Sequence, residues 1–156
     1  MRKFRRQNTL WDCGPTALFN MLRWTNKDIL WAARRNLIKL CETDKSGTFS
    51  HNMAMALNEL CKGKDITWAA AYNIETLIEG LNGGRGAIVG FLWPNALRHK
   101  FGGHYFFCYK NGDLFYCVNL RWWGNTVECL TESLLRFLLS ESGDELEMFL
   151  IKKAAA

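Results

Sequence analysis

Four residues of this 156-residue chain could carry chemistry together: Gln7, Cys13, His104 and Asn119. Cys13 closes the run Gln7-Asn8-Thr9-Leu10-Trp11-Asp12 and opens Cys13-Gly14-Pro15-Thr16-Ala17-Leu18. Pro15 suits the start of a helix, where its missing N–H costs nothing. Ala17, Leu18, Met21 and Leu22 then carry an apolar helical period. The spacing therefore predicts Cys13 at a helix N-terminus, where unpaired N–H groups and the positive end of the helix dipole favour a thiolate. Gln7 lies upstream, within reach to fold back and offer an amide donor beside the sulfur. Such a layout is a nucleophile with half an oxyanion hole. The plainer reading of Cys13 is a buried cysteine opening a core helix; what weighs against it lies far downstream.

His104 to Lys110 alternates in hydropathy, as does Asp113 to Leu120, and Asn111-Gly112 stands between them. Asn-Gly is a strong signal for a two-residue hairpin turn. With that turn, Lys110 faces Asp113, and counting back along both strands sets His104 opposite Asn119. Directly opposed residues share a face, with Cβ atoms roughly 5 Å apart. The Asn119 side-chain amide then accepts from one imidazole nitrogen and leaves the other as a base. On the same face this register pairs Phe106 with Cys117 and Cys108 with Phe115, so His104 and Asn119 form the polar end of an apolar surface.

The elements that must hold these groups follow from periodicity. After the first helix, Thr25 and Asp28 stand in capping-box spacing before a second, with Leu30, Ala33, Leu37 and Leu40 on its buried face. Arg34, Arg35 and Lys39 read as solvated. Residues 42–47 are turn chemistry. A third helix follows Thr48 or Ser50 with Met53, Leu57, Leu60 and Cys61 inward and His51 on its surface. Ile66 to Tyr72 reads as a strand, Ile74 to Leu81 as a short helix, and Ala87 to Trp93 as a strand buried on both faces. A loop from Pro94 to Gly103, containing His99, precedes the hairpin. Helices first and strands second predict an α+β fold with one antiparallel sheet, in a single domain over residues 1–153. Ala154-Ala155-Ala156 reads as an added tail.

Composition narrows the class. Hydrophobic residues make up 49% of the chain, with seven Trp and ten Phe, which is a globular composition. No apolar run reaches the length of a membrane span. The basic start, Met1 to Arg6, is not followed by the apolar segment of a signal peptide. The six cysteines and three histidines form no metal-ligand spacing. Reduced thiols in a cytoplasmic setting are expected, with no metal or cofactor. The net charge of +5 is concentrated at the N-terminus. A nucleic-acid partner is not expected, because no aromatic-basic pattern accompanies that arm, which reads as solvated.

Gln7, the Asp12-Cys13-Gly14-Pro15 run with its helix, Gly47-Thr48, the apolar strand Ala87 to Trp93, Gly103-His104 and Asn119 together resemble the papain-like cysteine peptidases that trim double-glycine leader peptides, known as domains of bacteriocin exporters. The resemblance extends to about Glu147. It implies a papain-like fold, an N-terminal helical part packed on a C-terminal antiparallel sheet. It implies Cys13 as nucleophile, His104 as general base and acid, Asn119 as the third residue and Gln7 as oxyanion donor. The third residue of that family is usually Asp followed by Pro; here it is Asn119 followed by Leu120, and Asn serves in papain-like peptidases at large. The implied substrate is a peptide or protein cut after small residues such as Gly-Gly; a ubiquitin-like C-terminus meets the same steric rule. The same residues also suit a thiol-dependent deamidase, a transglutaminase-like enzyme or an amidase, and the same fold serves as a catalytically idle peptide-binding module.

Overall fold

The structure is a computed structural model and describes residues 3–25, 34–93, 103–121 and 123–153. Among them, α1 (Cys13–Thr25), α2 (Arg34–Leu40) and α3 (Ser50–Cys61) come first. Then follow β1 (Thr67–Ala71), α4 (Ile74–Asn82), β2 (Gly86–Leu92), β3 (Gly103–Asn111) and β4 (Leu114–Val118). The chain closes with β5 (Val127–Leu130), α5 (Glu132–Ser140), a 3₁₀ turn at Gly143–Glu145 and β6 (Glu147–Lys152). The six strands form one antiparallel sheet in the order β1-β6-β2-β3-β4-β5. The α+β fold and its antiparallel sheet are as the sequence predicts. The expected loop from Pro94, with His99, lies outside the described residues as far as Gly102, as do Leu30 and Ala33.

Helices cover both faces of the sheet. On one face α1 and α3 bury Leu18, Leu22, Met53 and Leu57 against Ile88, Phe107 and Ile151. On the other, α4 and α5 bury Leu77, Leu81, Leu135 and Leu139 against Val89, Phe106, Cys108 and Leu150. β2 is a central strand, paired with β3 and β6, and both of its faces are covered, Ile88 toward α1 and α3 and Ala87, Val89 and Phe91 toward α4 and α5, which is why its run Ala87 to Phe91 is apolar throughout. The side-chain period of two sends Tyr105 and Phe107 to the α1 face and Phe106 and Cys108 to the α5 face.

The β3–β4 hairpin corrects the expected register. Asn111 faces Leu114 and Cys108 faces Cys117, so Gly112-Asp113, not Asn111-Gly112, forms the two-residue loop. Of these residues only Gly112 has positive φ, at 64°. That is the pattern of a type II′ turn, which puts glycine at its first central position, whereas the Asn-Gly type I′ turn needs positive φ at both. The slip is by two residues, so each side chain keeps its face while its partner changes. Phe106 therefore does not pair with Cys117, nor Cys108 with Phe115. The β4 ladder ends at Val118, one residue before Asn119, so Asn119 reaches His104 from outside the ladder.

Candidate active site

The loop before α1 is organised by a buried carboxylate. Asp12 is fully buried. Its oxygens accept from the Asn8 N–H at 3.2 Å, the Thr9 N–H and hydroxyl at 2.9 Å each, and Arg34 Nε at 2.7 Å. Burial alone would raise its pKa; the hydrogen bonds from Thr9, Arg34 and Asn8 outweigh it and hold the group below the usual carboxylate value. The Asp12 backbone oxygen meanwhile accepts from the Thr16 N–H and hydroxyl, opening α1. The loop before the helix is thus pinned, and with it the position of Cys13. Arg34 is not simply solvated, as its place on the helix suggested; it is the ion-pair partner of Asp12.

Cys13 is the first residue of α1 and only 6% exposed. The Tyr105 N–H donates to its Sγ at 3.4 Å. Burial pushes its pKa up to about 11, against the lowering effect of the N–H groups of Tyr105, Gly14 and its own backbone. The thiolate expected from the helix N-terminus is thus not the resting form: desolvation of a buried thiol outweighs the helix end. Gly14, next in the helix, lies under Thr48; a Cβ at this position would sit 2.3 Å from the Thr48 Oγ1.

His104, near the start of β3, is also 6% exposed. Its ring lies 6.0 Å from that of Phe91 in edge contact and 5.9 Å from that of Trp93. This aromatic enclosure desolvates the imidazole and lowers its pKa to about 4, opposed by a hydrogen bond to Asn119. The bond joins His104 Nε2 to the backbone oxygen of Asn119 at 2.6 Å. A carbonyl only accepts, so Nε2 carries the proton and Nδ1 holds the free lone pair.

Asn119 therefore orients the imidazole through its backbone and not through its side chain. Its φ of 59° is the left-handed region that Asn tolerates better than most residues, and it turns the carbonyl toward His104. The side chain is occupied elsewhere. Oδ1 accepts from the Gln7 N–H at 3.1 Å and Nδ2 donates to Gln7 Oε1 at 2.8 Å. Gln7 Nε2 donates to the Thr9 oxygen at 2.8 Å. The Gln7 amide is thus engaged with Asn119 and Thr9 rather than turned to the sulfur.

Cys13 and His104 line one cleft of about 350 Å³, with Trp11 and Thr48 on its walls. They reach it differently: Cys13 comes from the helix on one face of the sheet, while the His104 ring lies among side chains of the other face, where β3 begins. Tyr105 joins them. Its N–H is on the sulfur, its ring fills the space over Gly90, where a Cβ would meet it at 2.7 Å, and its hydroxyl bonds to the Glu147 carboxylate. Asp12, Tyr105 and Glu147 were not singled out from the sequence. The Asn8-Thr9-x-x-Asp12 spacing, which suits a carboxylate folding back on preceding N–H groups, was the available signal for Asp12.

The peptidase domain of Streptococcus ComA, a bifunctional ABC transporter involved in a quorum-sensing pathway, superposes on this chain with a TM-score of 0.65 at 18% identity, covering 96% of this chain and 98% of that one. The fold is that of a papain-like peptidase domain. No protein-family model and no curated protein sequence matches the chain. β5, α5 and β6 follow the last element that the sequence predicts. Among the described residues, no helix is long and apolar enough to cross a membrane.

Proposed function

We propose that this chain is a cysteine peptidase that acts in the cytoplasm through Cys13, His104 and Asn119. The observation that carries the proposal is that Cys13 and His104 line one cleft while a backbone carbonyl fixes the His104 tautomer with Nδ1 as the base. The ComA-like fold supports the same reading. A neutral thiol and a neutral imidazole form the resting pair. When a peptide carbonyl enters the cleft, Nδ1 takes the thiol proton as Sγ attacks the carbonyl carbon. The backbone N–H of Cys13 donates to the oxyanion, joined by Gln7 Nε2 once it releases the Thr9 oxygen. The imidazolium, steadied by its Nε2–H bond to Asn119, protonates the leaving amine. Water then attacks the thioester carbon and passes a proton to His104; the C–S bond breaks, the water oxygen stays in the carboxyl group of the new C-terminus, and the sulfur takes the proton back from His104 as the thiol. The residues before the cut are small, such as Gly-Gly, as the sequence resemblance implies.

Mass spectrometry of peptides incubated with the wild type and with Cys13→Ala tests this. New C-termini after small residues, made by the wild type alone, are expected. Thioester capture with release of ammonia, or transfer to an added amine in preference to water, would instead mark a deamidase or a transglutaminase-like enzyme. Binding of peptides without turnover would mark an idle binding module.

A further inference from the structure

The cleft of Cys13 and His104 carries a charged wall that the reaction leaves unused. Glu147 opens β6 and stands opposite Gly90, whose other neighbour is Tyr105. Residues paired across strands share a face, so Glu147, Gly90 and Tyr105 form one row. Tyr105 packs in the same cluster as Cys13, which puts that row on the Cys13 side of the sheet. Gly90 leaves room for the Tyr105 ring to lie across the row and donate its hydroxyl to Glu147 Oε2, so that Oε1 can meet a second donor. Glu145, exposed at the end of the 3₁₀ turn, lines the same cleft.

This wall is not neutralised from within. Lys45 is the one lysine or arginine lining the cleft among the described residues. Neither Glu145 nor Glu147 forms an ion pair with it or with any other described residue. Nor do three His, Cys, Asp or Glu side chains gather among the described residues to hold a metal ion. A second group in the cleft awaits a partner: His104 is 6% exposed, and its Nδ1 has no hydrogen bond among the described residues. A buried acceptor lining an open cleft is satisfied by what enters the cleft. That occupant meets the base and the carboxylates at once. Neighbouring strands lie about 4.8 Å apart, so β6 runs about 10 Å across the sheet from β3, whose Tyr105 N–H holds the sulfur. An extended peptide advances roughly 3.3 Å per residue, so it spans that distance in two or three residues.

We infer that the cleft selects substrates carrying a lysine or arginine two or three residues from the scissile bond, its cation met by Glu147 on the wall and Glu145 at the rim. The inference rests on the peptidase reading and adds a charge requirement to it. Leu10, Trp11 and Leu92 also line the cleft and suit the aliphatic stem of such a side chain. An acidic residue at the same place faces two carboxylates and is disfavoured.

Acetylated peptides with Gly-Gly before the cut test this, carrying Lys, norleucine or Glu at the third residue before it or the second or third after it. At one of these positions wild-type kcat/KM is expected to run Lys above norleucine above Glu, by about threefold per step. The difference should sit in KM, because the contact is made by a part of the substrate that does not react. It should shrink in about 0.5 M sodium chloride. The double variant Glu145→Gln, Glu147→Gln should level the three peptides, while Glu79→Gln, exposed on α4, should change nothing. Equal kcat/KM for the three peptides at every position, or a lysine preference kept in the double variant, would overturn the inference. Should no peptide be cut, fluorescence anisotropy of the same peptides, labelled, on Cys13→Ala separates the two readings. Tighter binding of the Lys peptide sustains the charge selection while the peptidase reading fails; equal binding, or none, overturns the selection as well.

Discussion

His104 Nε2 meets Asn119 at its backbone oxygen, 2.6 Å away, while the side-chain amide of Asn119 is bound to Gln7. One residue thus does two separable things. Its left-handed backbone aims a carbonyl at the imidazole, and its side chain fastens the segment that leads to Cys13.

This separation predicts an order of effects at position 119. Asn119→Gly keeps the backbone geometry and loses only the Gln7 link, so turnover should fall modestly. Asn119→Ala loses the link and adds roughly 1 kcal/mol of left-handed backbone strain, so it should be the worse of the two in both Tm and kcat/KM. If the side chain were the orienting group, Gly and Ala would be equally damaging. His104→Ala should cost far more than either, roughly 100- to 10,000-fold in kcat, by removing the proton carrier.

Gln7 can be tested for its two roles separately. As an oxyanion donor, its loss in Gln7→Ala should cost roughly 2.7–4 kcal/mol of transition-state stabilisation, seen in kcat. Gln7→Glu keeps an acceptor for Asn119 Nδ2 but donates nothing to an oxyanion. It should be as slow as Gln7→Ala while melting closer to wild type. Near-normal kcat in Gln7→Glu would leave Gln7 only the task of holding Asn119.

Titration of the buried pair predicts two limbs. His104 titrates near 4 in the fold against an ordinary value of 6.5. Between those values an unfolded chain takes a proton that the folded chain refuses. The stabilisation is fully present above pH 6.5 and is lost as pH falls toward 4, to the extent of roughly 3 kcal/mol. Urea titrations across that range should show the slope, and His104→Gln should remove it. Cys13, raised to about 11, should react slowly with iodoacetamide near neutral pH and faster through the alkaline range, while exposed Cys129 reacts first. Rapid neutral labelling of Cys13 would instead reveal a resting ion pair with His104.

Gly14 is predicted to tolerate no side chain. Alanine there would drive its Cβ into Thr48, which is itself hydrogen-bonded to Thr43 through their hydroxyls. A cost of about 1–3 kcal/mol follows from overpacking, and Cys13, one residue away, should lose activity beyond what the change in Tm accounts for. Gly14→Ala combined with Thr48→Ala, which removes the Oγ1 at 2.3 Å and the Cγ2 at 3.3 Å from the new Cβ, should recover part of both. No recovery would place the constraint elsewhere.

Much of the site was legible in the sequence because local chemistry dictates it. Pro15 and the period from Ala17 to Leu22 place Cys13 at a helix start, and the alternation after Gly103 places His104 at a strand start. The register was not legible at the same level. Asn111-Gly112-Asp113 offers two two-residue loops, and only the φ pattern chooses between them. The thiolate expected at Cys13 does not hold, because a helix end is visible in sequence whereas the burial of the sulfur is a tertiary fact. Glu147 to Lys152 carries a short apolar run that suits several structures, and its place in the sheet rests on contacts with residues far earlier in the chain.

That last strand has a consequence for the order in which the molecule can assemble. β1 pairs with β6 alone, and β6 also separates β1 from β2. Until residues 147–152 arrive, β1 has no neighbour and β2 has one open edge. Closing the sheet joins Thr67 to Lys152, a long loop whose entropy must be lost before the pairing compensates it. Folding should accordingly be slow for the size of the chain, and the half-built sheet, with the apolar edge of β2 uncovered, is the species most exposed to pairing with another chain.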